Sequence, residues 1–309
     1  MDRRPLGRSE LVIEPLVFGG NVFGWTVDKD TGFAVLDAFV GEGFTAIDTA
    51  DVYGKGKSET MIGEWLKARG NRQDVHIFTK LGGEMTPDKK GLKAAYVKQA
   101  VEDSLKRLQT DYIDLYQSHR PDPETSHEET LEAFDVLIRS GKVRVIGSSN
   151  FTPQQIRDAH ETAVVKSLPR YETEQPHYNL YTREEYEGPL QDLAVKEEIG
   201  VIPYFSLAAG FLTGKYRTEA DAAKSPRGGG VVSKYLNDRG RKILGALDEV
   251  AARTGAELGE IALAWVAAQP AVAAPIASAT SVAQVKSLAK GARLVLSAED
   301  LRELTDAGK

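Results

Sequence analysis

Residues 112–147, YIDLYQSHRPDPETSHEETLEAFDVLIRSGKVRVIG, contain two short apolar runs joined by an amphipathic segment. The runs YIDLYQ and VRVIG are rich in β-branched and aromatic residues and have the length of strands. The joining segment opens with Ser126-x-x-Glu129, a capping box, and stops at Gly141, so it predicts a helix. The stretch therefore predicts one strand–helix–strand unit.

The same rhythm recurs along the whole chain. The runs are LVFG from Leu16, FTAID from Phe44, VHIFTK from Val75, YIDLYQ from Tyr112, VRVIG from Val143, YETEQ from Tyr171, VIPYF from Val201 and VAAPI from Val272. Strands that alternate with helices predict a parallel sheet with right-handed crossovers. Eight such units, spaced by roughly 30 residues through the first seven, predict a single (β/α)8 barrel (a TIM barrel) over residues 1–309. The rival is an open doubly wound sheet, but no glycine-rich phosphate loop follows the first run.

Two segments depart from this rhythm. The stretch LGRSELVIEP, before Leu16, predicts an N-terminal β-hairpin that can close the floor of the barrel. Residues 207–235, after the seventh run, predict a long loop that contains Gly228-Gly229-Gly230. Loops of this length inside a compact domain are usually functional or disordered.

Composition excludes several classes of function. The formal net charge is −6, from 45 acidic and 39 basic residues, which gives no electrostatic reason to expect nucleic acid or an anionic membrane as partner. The absence of cysteine excludes thiol catalysis, and the five histidines show no helical spacing of metal ligands, so no metal site is expected. The start of the chain lacks the apolar core of a signal peptide, and no apolar run is long enough for a bilayer. We therefore expect a cytoplasmic protein with a small-molecule partner; the oligomeric state stays open.

Polar and aromatic residues stand where the predicted strands end. They are Asp48, Lys80, His119, Asn150, Gln175 and Tyr204, and Tyr53 follows Asp48 by five residues. The carboxyl ends of barrel strands meet at one mouth, where barrel enzymes carry their active sites. A tyrosine with an ordinary pKa of ~10 is a weak proton donor, and a nearby ammonium lowers that pKa. Lys80 can supply the ammonium, Asp48 can hold it, and His119 can orient a carbonyl, so the set predicts proton donation to a carbonyl that receives a hydride.

The order and spacing of these residues resemble the aldo-keto reductase family over essentially the whole chain. The matching segments are Gly41 to Gly54 (GEGFTAIDTADVYG), Phe78-Thr79-Lys80, Asp114 to His119 (DLYQSH), Gly147 to Phe151 (GSSNF), Glu174-Gln175, and Tyr204 with Gly210 to Tyr216 (GFLTGKY). The fragment His119 to Pro123 (HRPDP) is most similar to the branch that contains potassium-channel beta subunits and bacterial relatives.

The resemblance implies an oxidoreductase that moves a hydride between NADP(H) and an aldehyde, ketone or alcohol. It implies Tyr53 as general acid, Lys80 and Asp48 as its tuning pair, and His119 as the orienting group. The implied cofactor contacts are Gly20, Asn21, Val22, Asp48, Ser149, Asn150, Gln175, Tyr204, Phe205, Ser206, Leu207, Ala208, Gly210, Lys215, Ser278, Thr280 and Gln284. Candidate substrate walls are Trp25, Tyr53, His119, Arg120 and Phe211, and Arg217 is a further candidate for cofactor contact.

The sequence departs from the family pattern at the cofactor. Phe205 and Ser206 stand where relatives often have serine and then proline. Ser278, Thr280 and Gln284 stand in a region that is often richer in Lys or Arg, which suit a 2′-phosphate. NAD(H) therefore stays open beside NADP(H), although Lys286 or a basic residue of the long loop could compensate.

Two other functions stay open at this point. One is a nicotinamide-binding module that senses redox state with little turnover; a tuned acid argues against it. The other is an aldolase-like barrel in which Lys80 forms a Schiff base.

Overall fold

Eight parallel strands form one closed sheet in the computed structural model, which describes residues 2–309. Each of the first six strands pairs with the next along the chain, and the eighth pairs with the first. Backbone hydrogen bonds join the seventh strand to the residues that lead into the eighth: the N–H of Val201 donates to the carbonyl of Ala271 (2.9 Å), and that of Ala273 donates to the carbonyl of Val201 (2.8 Å). The N–H of Ile276 donates to Pro203 (2.9 Å). The predicted (β/α)8 barrel is confirmed.

The barrel strands are β3 (Val17–Gly19), β4 (Ala46–Asp48), β5 (His76–Leu81), β6 (Ile113–Ser118), β7 (Val143–Ser149), β8 (Thr173–Gln175), β9 (Gly200–Val201) and β10 (Ile276–Ala277). The hairpin strands are β1 (Arg4–Pro5) and β2 (Val12–Ile13). The helices are α1 (Lys29–Gly41), α2 (Lys57–Arg69), α3 (Ala94–Leu108), α4 (His127–Arg139), α5 (Pro153–Lys166), α6 (Pro189–Glu197), α7 (Gly228–Tyr235), α8 (Asp238–Thr254), α9 (Leu258–Ala267), α10 (Val282–Arg293) and α11 (Ala298–Ala307). Among residues 2–309, no helix has the length and apolarity needed to cross a membrane.

The N-terminal hairpin closes one end of the barrel, as predicted. Strands β1 and β2 pair antiparallel, and Leu6, Leu11 and Ile13 are at most 1% exposed. These side chains share one apolar cluster with Val17 and Phe78, which lie inside the barrel. The hairpin thus removes apolar surface from water at the amino ends of the strands, and it leaves the carboxyl ends as the open mouth.

The segment after β9 is more ordered than the sequence predicts. Instead of one loop over residues 207–235, it contains 3₁₀ turns at Ala208–Thr213 and Glu219–Lys224, followed by helix α7. The three consecutive glycines form the first turn of that helix. A side chain at Gly228 would place its Cβ 2.0 Å from the carbonyl oxygen of Ala222, so close tertiary packing overrides the low helix propensity of glycine here.

Candidate active site

A polar layer lies directly above the apolar filling of the barrel. The apolar side chains include Ala46, Phe78, Leu115 and Val145. Asp48, Lys80 and Gln117 come two residues later on β4, β5 and β6, and alternate residues of a strand point to the same side. They therefore point into the barrel close to its mouth. The alternation of side chains along β6 could have identified Gln117 from the sequence. Gln117 is absent from the predicted set because it lies two residues before His119, the residue taken as the end of that strand.

Asp48 and Lys80 form a buried ion pair in this layer. The ammonium of Lys80 lies 2.6 Å from Oδ1 of Asp48 and also donates to the carbonyl of Thr49 at 2.7 Å. The side-chain amides of Gln175 and Gln117 donate to Oδ2 of Asp48 at 3.1 and 3.3 Å. Lys80 is 0% exposed and Asp48 is 2% exposed. Three donors on one carboxylate compensate its loss of hydration, so the pair is held in one geometry.

Tyr53 and His119 stand on the mouth side of this pair. The ammonium of Lys80 donates to the hydroxyl of Tyr53 at 3.4 Å. The rings of Tyr53 and His119 meet edge to face, with centroids 5.9 Å apart. Tyr53 opens a tight 3₁₀ turn in which Gly54 and Lys55 have positive φ. The structure therefore brings Asp48, Tyr53, Lys80 and His119 to one place, although they lie on four different segments of the chain.

The electrostatics of Tyr53 differ from the sequence-based expectation. Lys80 does act to lower the pKa of the phenol, but burial raises that pKa by more, and the charge of Asp48 adds to the rise. The net pKa of Tyr53 is therefore raised above 10. Burial alone would lower the pKa of Lys80, yet Asp48 and Tyr53 outweigh burial and raise it. At neutral pH the phenol thus keeps its proton and the lysine keeps its charge.

His119 is a neutral imidazole. Burial, the charge of Lys80 and the charge of Arg120 together lower its pKa to about 3. A neutral ring can donate an N–H to a carbonyl oxygen without bringing a second positive charge beside Lys80.

A cavity of about 1210 Å³ extends from these residues along the mouth of the barrel. Of the residues predicted to contact cofactor or substrate, it is lined by Asn21, Val22, Asp48, Tyr53, His119, Arg120, Ser149, Asn150, Gln175, Tyr204, Phe205, Ser206, Leu207, Gly210, Lys215, Ser278, Thr280 and Gln284. A smaller hollow of about 350 Å³ lies at the opposite end, where Ser9, Glu10 and Leu11 of the hairpin meet the floor.

Five predicted contacts lie outside the cavity lining. Gly20 is buried beneath it, where its carbonyl accepts a hydrogen bond from Ser58. Ala208 and Phe211 are 0% exposed, and Phe211 stacks in the core on Tyr235. Trp25 is 58% exposed and does not line the cavity.

The fifth is Arg217, whose guanidinium is bound by both carboxylate oxygens of Asp248 on α8. Its role in the structure is to anchor the segment after β9. Lys286, the other basic candidate, does not line the cavity either, whereas Arg227 of the long segment does.

A hydrogen-bonded network stiffens the mouth next to His119. Asn150 has a left-handed backbone (φ 61°), and its side-chain amide donates to the carbonyl of His119 at 2.9 Å and to Ser149 at 3.0 Å. The hydroxyl of Tyr204 donates to Oδ1 of Asn150 at 2.8 Å. The ring of Tyr204 stacks at 5.3 Å on that of His177, behind it. The aromatic face of Tyr204 is thus fixed from two sides.

The far end of the cavity is built from hydroxyl and amide groups. The hydroxyl of Ser278 donates to Asn21 at 2.6 Å, and the backbone N–H of Thr280 donates to the side chain of Gln284 at 2.8 Å. Glu257 also lines this end and accepts a hydrogen bond from Ser287 at 3.1 Å. No local pattern identifies Glu257 as a cavity residue, because it caps helix α9 and reaches the cavity only through the packing of α9 against α10.

Asp51, in the loop that carries Tyr53, makes stability depend on pH. Burial and the nearby charge of Glu59 raise its pKa to about 7. Its ordinary pKa is about 3.9, so between about pH 4 and pH 7 the unfolded chain releases this proton while the folded protein holds it, and stability falls as the pH rises. We expect Asp51→Asn to remove up to about 3 kcal/mol of this loss between pH 4.5 and pH 8, as measured by urea unfolding at the two pH values.

The matched control for this measurement is Asp238→Asn, because the side chain of Asp238 is fully exposed. Asp238→Asn should keep the pH dependence of the parent protein. An Asp51→Asn protein whose unfolding free energy still falls as steeply between the two pH values would show that Asp51 is ionised in the folded state.

The comparisons with known proteins identify the family of the chain. The Aldo/keto reductase family model matches residues 15–309, which defines the class of the protein as a barrel oxidoreductase. The chain belongs to the Aldo/keto reductase family.

Named relatives cover nearly the whole chain. An uncharacterized oxidoreductase, YrpG, of Bacillus subtilis is 33% identical and covers 99% of this chain and 95% of its own length. The aldo-keto reductase YhdN of the same organism is 34% identical, with coverages of 96% and 88%. A probable voltage-gated potassium channel subunit beta of Oryza sativa is also 34% identical, with coverages of 92% and 89%. The branch predicted from the HRPDP fragment is therefore confirmed.

Proposed function

We propose that the protein transfers a hydride between NADP(H) and an aldehyde or ketone, with Tyr53 as the general acid. One observation carries the proposal: a protonated phenol 3.4 Å from a buried, ion-paired lysine, beside a neutral histidine, at one end of a cavity of about 1210 Å³. In the reverse direction, the same groups would accept the proton of an alcohol.

Each of the four side chains has one task in this proposal. The hydroxyl of Tyr53 donates its proton to the carbonyl oxygen, and the N–H of His119 orients that oxygen. The ammonium of Lys80 stabilises the phenolate that remains, because it lies beside the phenol in a site from which water is largely excluded. Asp48 holds Lys80 in place and charged.

The residues along the cavity fit a nicotinamide dinucleotide. Such a cofactor supplies the hydride that reaches the carbonyl carbon. Ser149, Asn150 and Gln175 would hold its carboxamide, and the fixed ring of Tyr204 offers a stacking face. The adenosine end would lie toward Ser278.

The backbone between Tyr204 and Lys215 supports a phosphate site. Phe205, Ala208 and Ala209 have positive φ (56°, 48° and 54°) without being glycine. Each such conformation costs of order 1–3 kcal/mol and is concentrated at ligand clamps and switches. Lys215 lines the cavity next to this segment, so the segment would cover the pyrophosphate.

The choice between NADP(H) and NAD(H) rests on two opposed observations. The family resemblance favours NADP(H). The far end of the cavity favours NAD(H), because its charged residue is Glu257 and an acidic group there suits a ribose hydroxyl better than a 2′-phosphate. Fluorescence titrations with NADPH and with NADH decide this point: tighter binding of NADPH by tenfold or more supports NADP(H), and the reverse assigns NAD(H).

The Schiff-base alternative meets an obstacle at Lys80. A lysine that attacks a carbonyl must be accessible and deprotonated. Lys80 is 0% exposed, its ammonium is bound by Asp48, and its pKa is raised. The redox-sensing alternative gives no role to Asp48, Tyr53, Lys80 and His119, and an assay of turnover distinguishes it from an enzyme.

The test is an assay of turnover. The protein is mixed with NADPH, and separately with NADH, and with a reactive aldehyde such as 4-nitrobenzaldehyde, and the loss of reduced-cofactor absorbance is followed. Multiple turnovers per protein molecule support the reductase. Stoichiometric cofactor binding without turnover supports the sensing module and contradicts the proposal.

A further inference from the structure

A guanidinium without a carboxylate partner lines the cavity beside the proposed acid. Arg120 follows His119 directly after β6 and is exposed. Within residues 2–309, its side chain forms no salt bridge and donates no hydrogen bond. Arginines on the elements around it behave differently: Arg107 pairs with Glu59, and Arg144 pairs with Asp114.

The charge of Arg120 acts at the reacting end of the cavity. After burial and Lys80, it is the third cause that lowers the pKa of His119. The charge of Arg120 also opposes the rise in the pKa of Tyr204 that burial causes. The guanidinium is therefore within electrostatic reach of His119, which would contact the carbonyl, and of Tyr204, on which the nicotinamide would stack.

The other cations that line the cavity come from a different segment of the chain. Lys215 lies next to Gly210, in the segment with left-handed backbone, and Arg227 lies 4.3 Å from the ring of Trp25. Both come from the segment after β9, and the phosphates of a dinucleotide would lie beside Lys215. Arg120 follows β6 instead, beside the nicotinamide end, and a nicotinamide carries no anionic group.

Neither carboxylate that lines the cavity pairs with Arg120. Asp48 is paired with Lys80, and Glu257 lies at the far end, bonded to Ser287. An anion that meets Arg120 must therefore come with the substrate.

We infer that the substrate is a carbonyl compound that also carries a carboxylate, which the guanidinium of Arg120 binds while His119 and Tyr53 contact the carbonyl oxygen. The planar fork of an arginine matches a carboxylate with two parallel hydrogen bonds. The inference rests on the proposed function and specifies its class of substrate.

The test compares two aldehydes that differ in one charge. They are 4-carboxybenzaldehyde and its neutral methyl ester, methyl 4-formylbenzoate, each assayed with the preferred reduced cofactor. The kcat/KM of the acid should exceed that of the ester by about 10- to 100-fold, the range that a hydrogen bond to a charged group gives. The preference should appear mainly as a lower KM.

Variants of Arg120 show whether this residue is the cause. In Arg120→Met the ratio of the two kcat/KM values should fall to within about twofold of one, and in Arg120→Lys it should be intermediate, because a lysine keeps the charge and loses the fork. Arg157→Met is the matched control, since Arg157 is exposed on the outer helix α5 and does not line the cavity. It should keep the ratio of the parent protein.

The outcomes separate this inference from the proposed function. Turnover of both aldehydes at equal kcat/KM, or a ratio that Arg120→Met leaves unchanged, overturns the inference and leaves the reductase standing. No turnover of either aldehyde overturns both. A preference for glyceraldehyde 3-phosphate over glyceraldehyde, without one for the carboxylate, overturns the assignment to carboxylates.

Discussion

Tyr53→Phe should lower kcat for aldehyde reduction by about 10²–10⁴-fold, the contribution that a positioned general acid makes. The substitution removes the hydroxyl 3.4 Å from the ammonium of Lys80 and leaves the ring that packs on His119. Binding of the reduced cofactor, measured by fluorescence, should change little. Steady-state kinetics over a range of aldehyde concentrations give the loss in kcat directly.

The matched control for this variant is Tyr112→Phe. The ring of Tyr112 packs under the guanidinium of Arg72, 3.7 Å from its centroid, and Tyr112 does not line the cavity. Its hydroxyl should therefore be dispensable for turnover. A Tyr53→Phe protein that reduces aldehydes at the parent rate would remove Tyr53 from the role of proton donor.

Lys80→Met should have the second large effect, and it acts on stability as well as on turnover. The substitution leaves the carboxylate of Asp48 buried without its cation, with only the amides of Gln117 and Gln175 on it. Breaking a buried ion pair on one side costs about 3–5 kcal/mol. Urea unfolding should show that loss, and turnover should fall because no ammonium stabilises the phenolate.

A double variant separates the two effects. Removing both charges in Asp48→Asn/Lys80→Met should recover much of the unfolding free energy, because no unpaired charge stays buried, but it should not recover turnover. The surface control Lys67→Met, on the exposed face of α2, should change neither quantity. If the single variant were as stable as the parent protein, Asp48 and Lys80 would not form a charged pair in the folded state.

Local sequence patterns were sufficient to predict most of the fold. All eight predicted strand runs overlap observed strands. Such runs can be predicted because the residue types of a strand, and the capping residues of the helix beside it, lie within a few positions of the chain. Thr152 and Gln155 form the capping box expected of that pair of residues, and Ser126 caps α4. The hairpin follows from the same kind of signal.

Contacts between distant segments of the chain could not be predicted from such local patterns. Gln175 bonds to Asp48 across 127 positions of the chain, and Ser278 bonds to Asn21 across 257. Strand ends predicted that these residues share one mouth, but not which groups bond there. The capture of Arg217 by Asp248, and the burial of Phe211, depend on how α8 and α7 pack on the segment after β9.

The sequence by itself determined the barrel, its closed floor and the set of four polar side chains at its mouth, because hydrophobic period, caps and turns act over short distances. Only the tertiary structure decided the protonation of Tyr53 and His119, the extent of the cavity, and the position of Arg120 without a partner. The physical reason is that desolvation and the charges of neighbours set those properties, and both exist only once segments far apart in the chain have packed together.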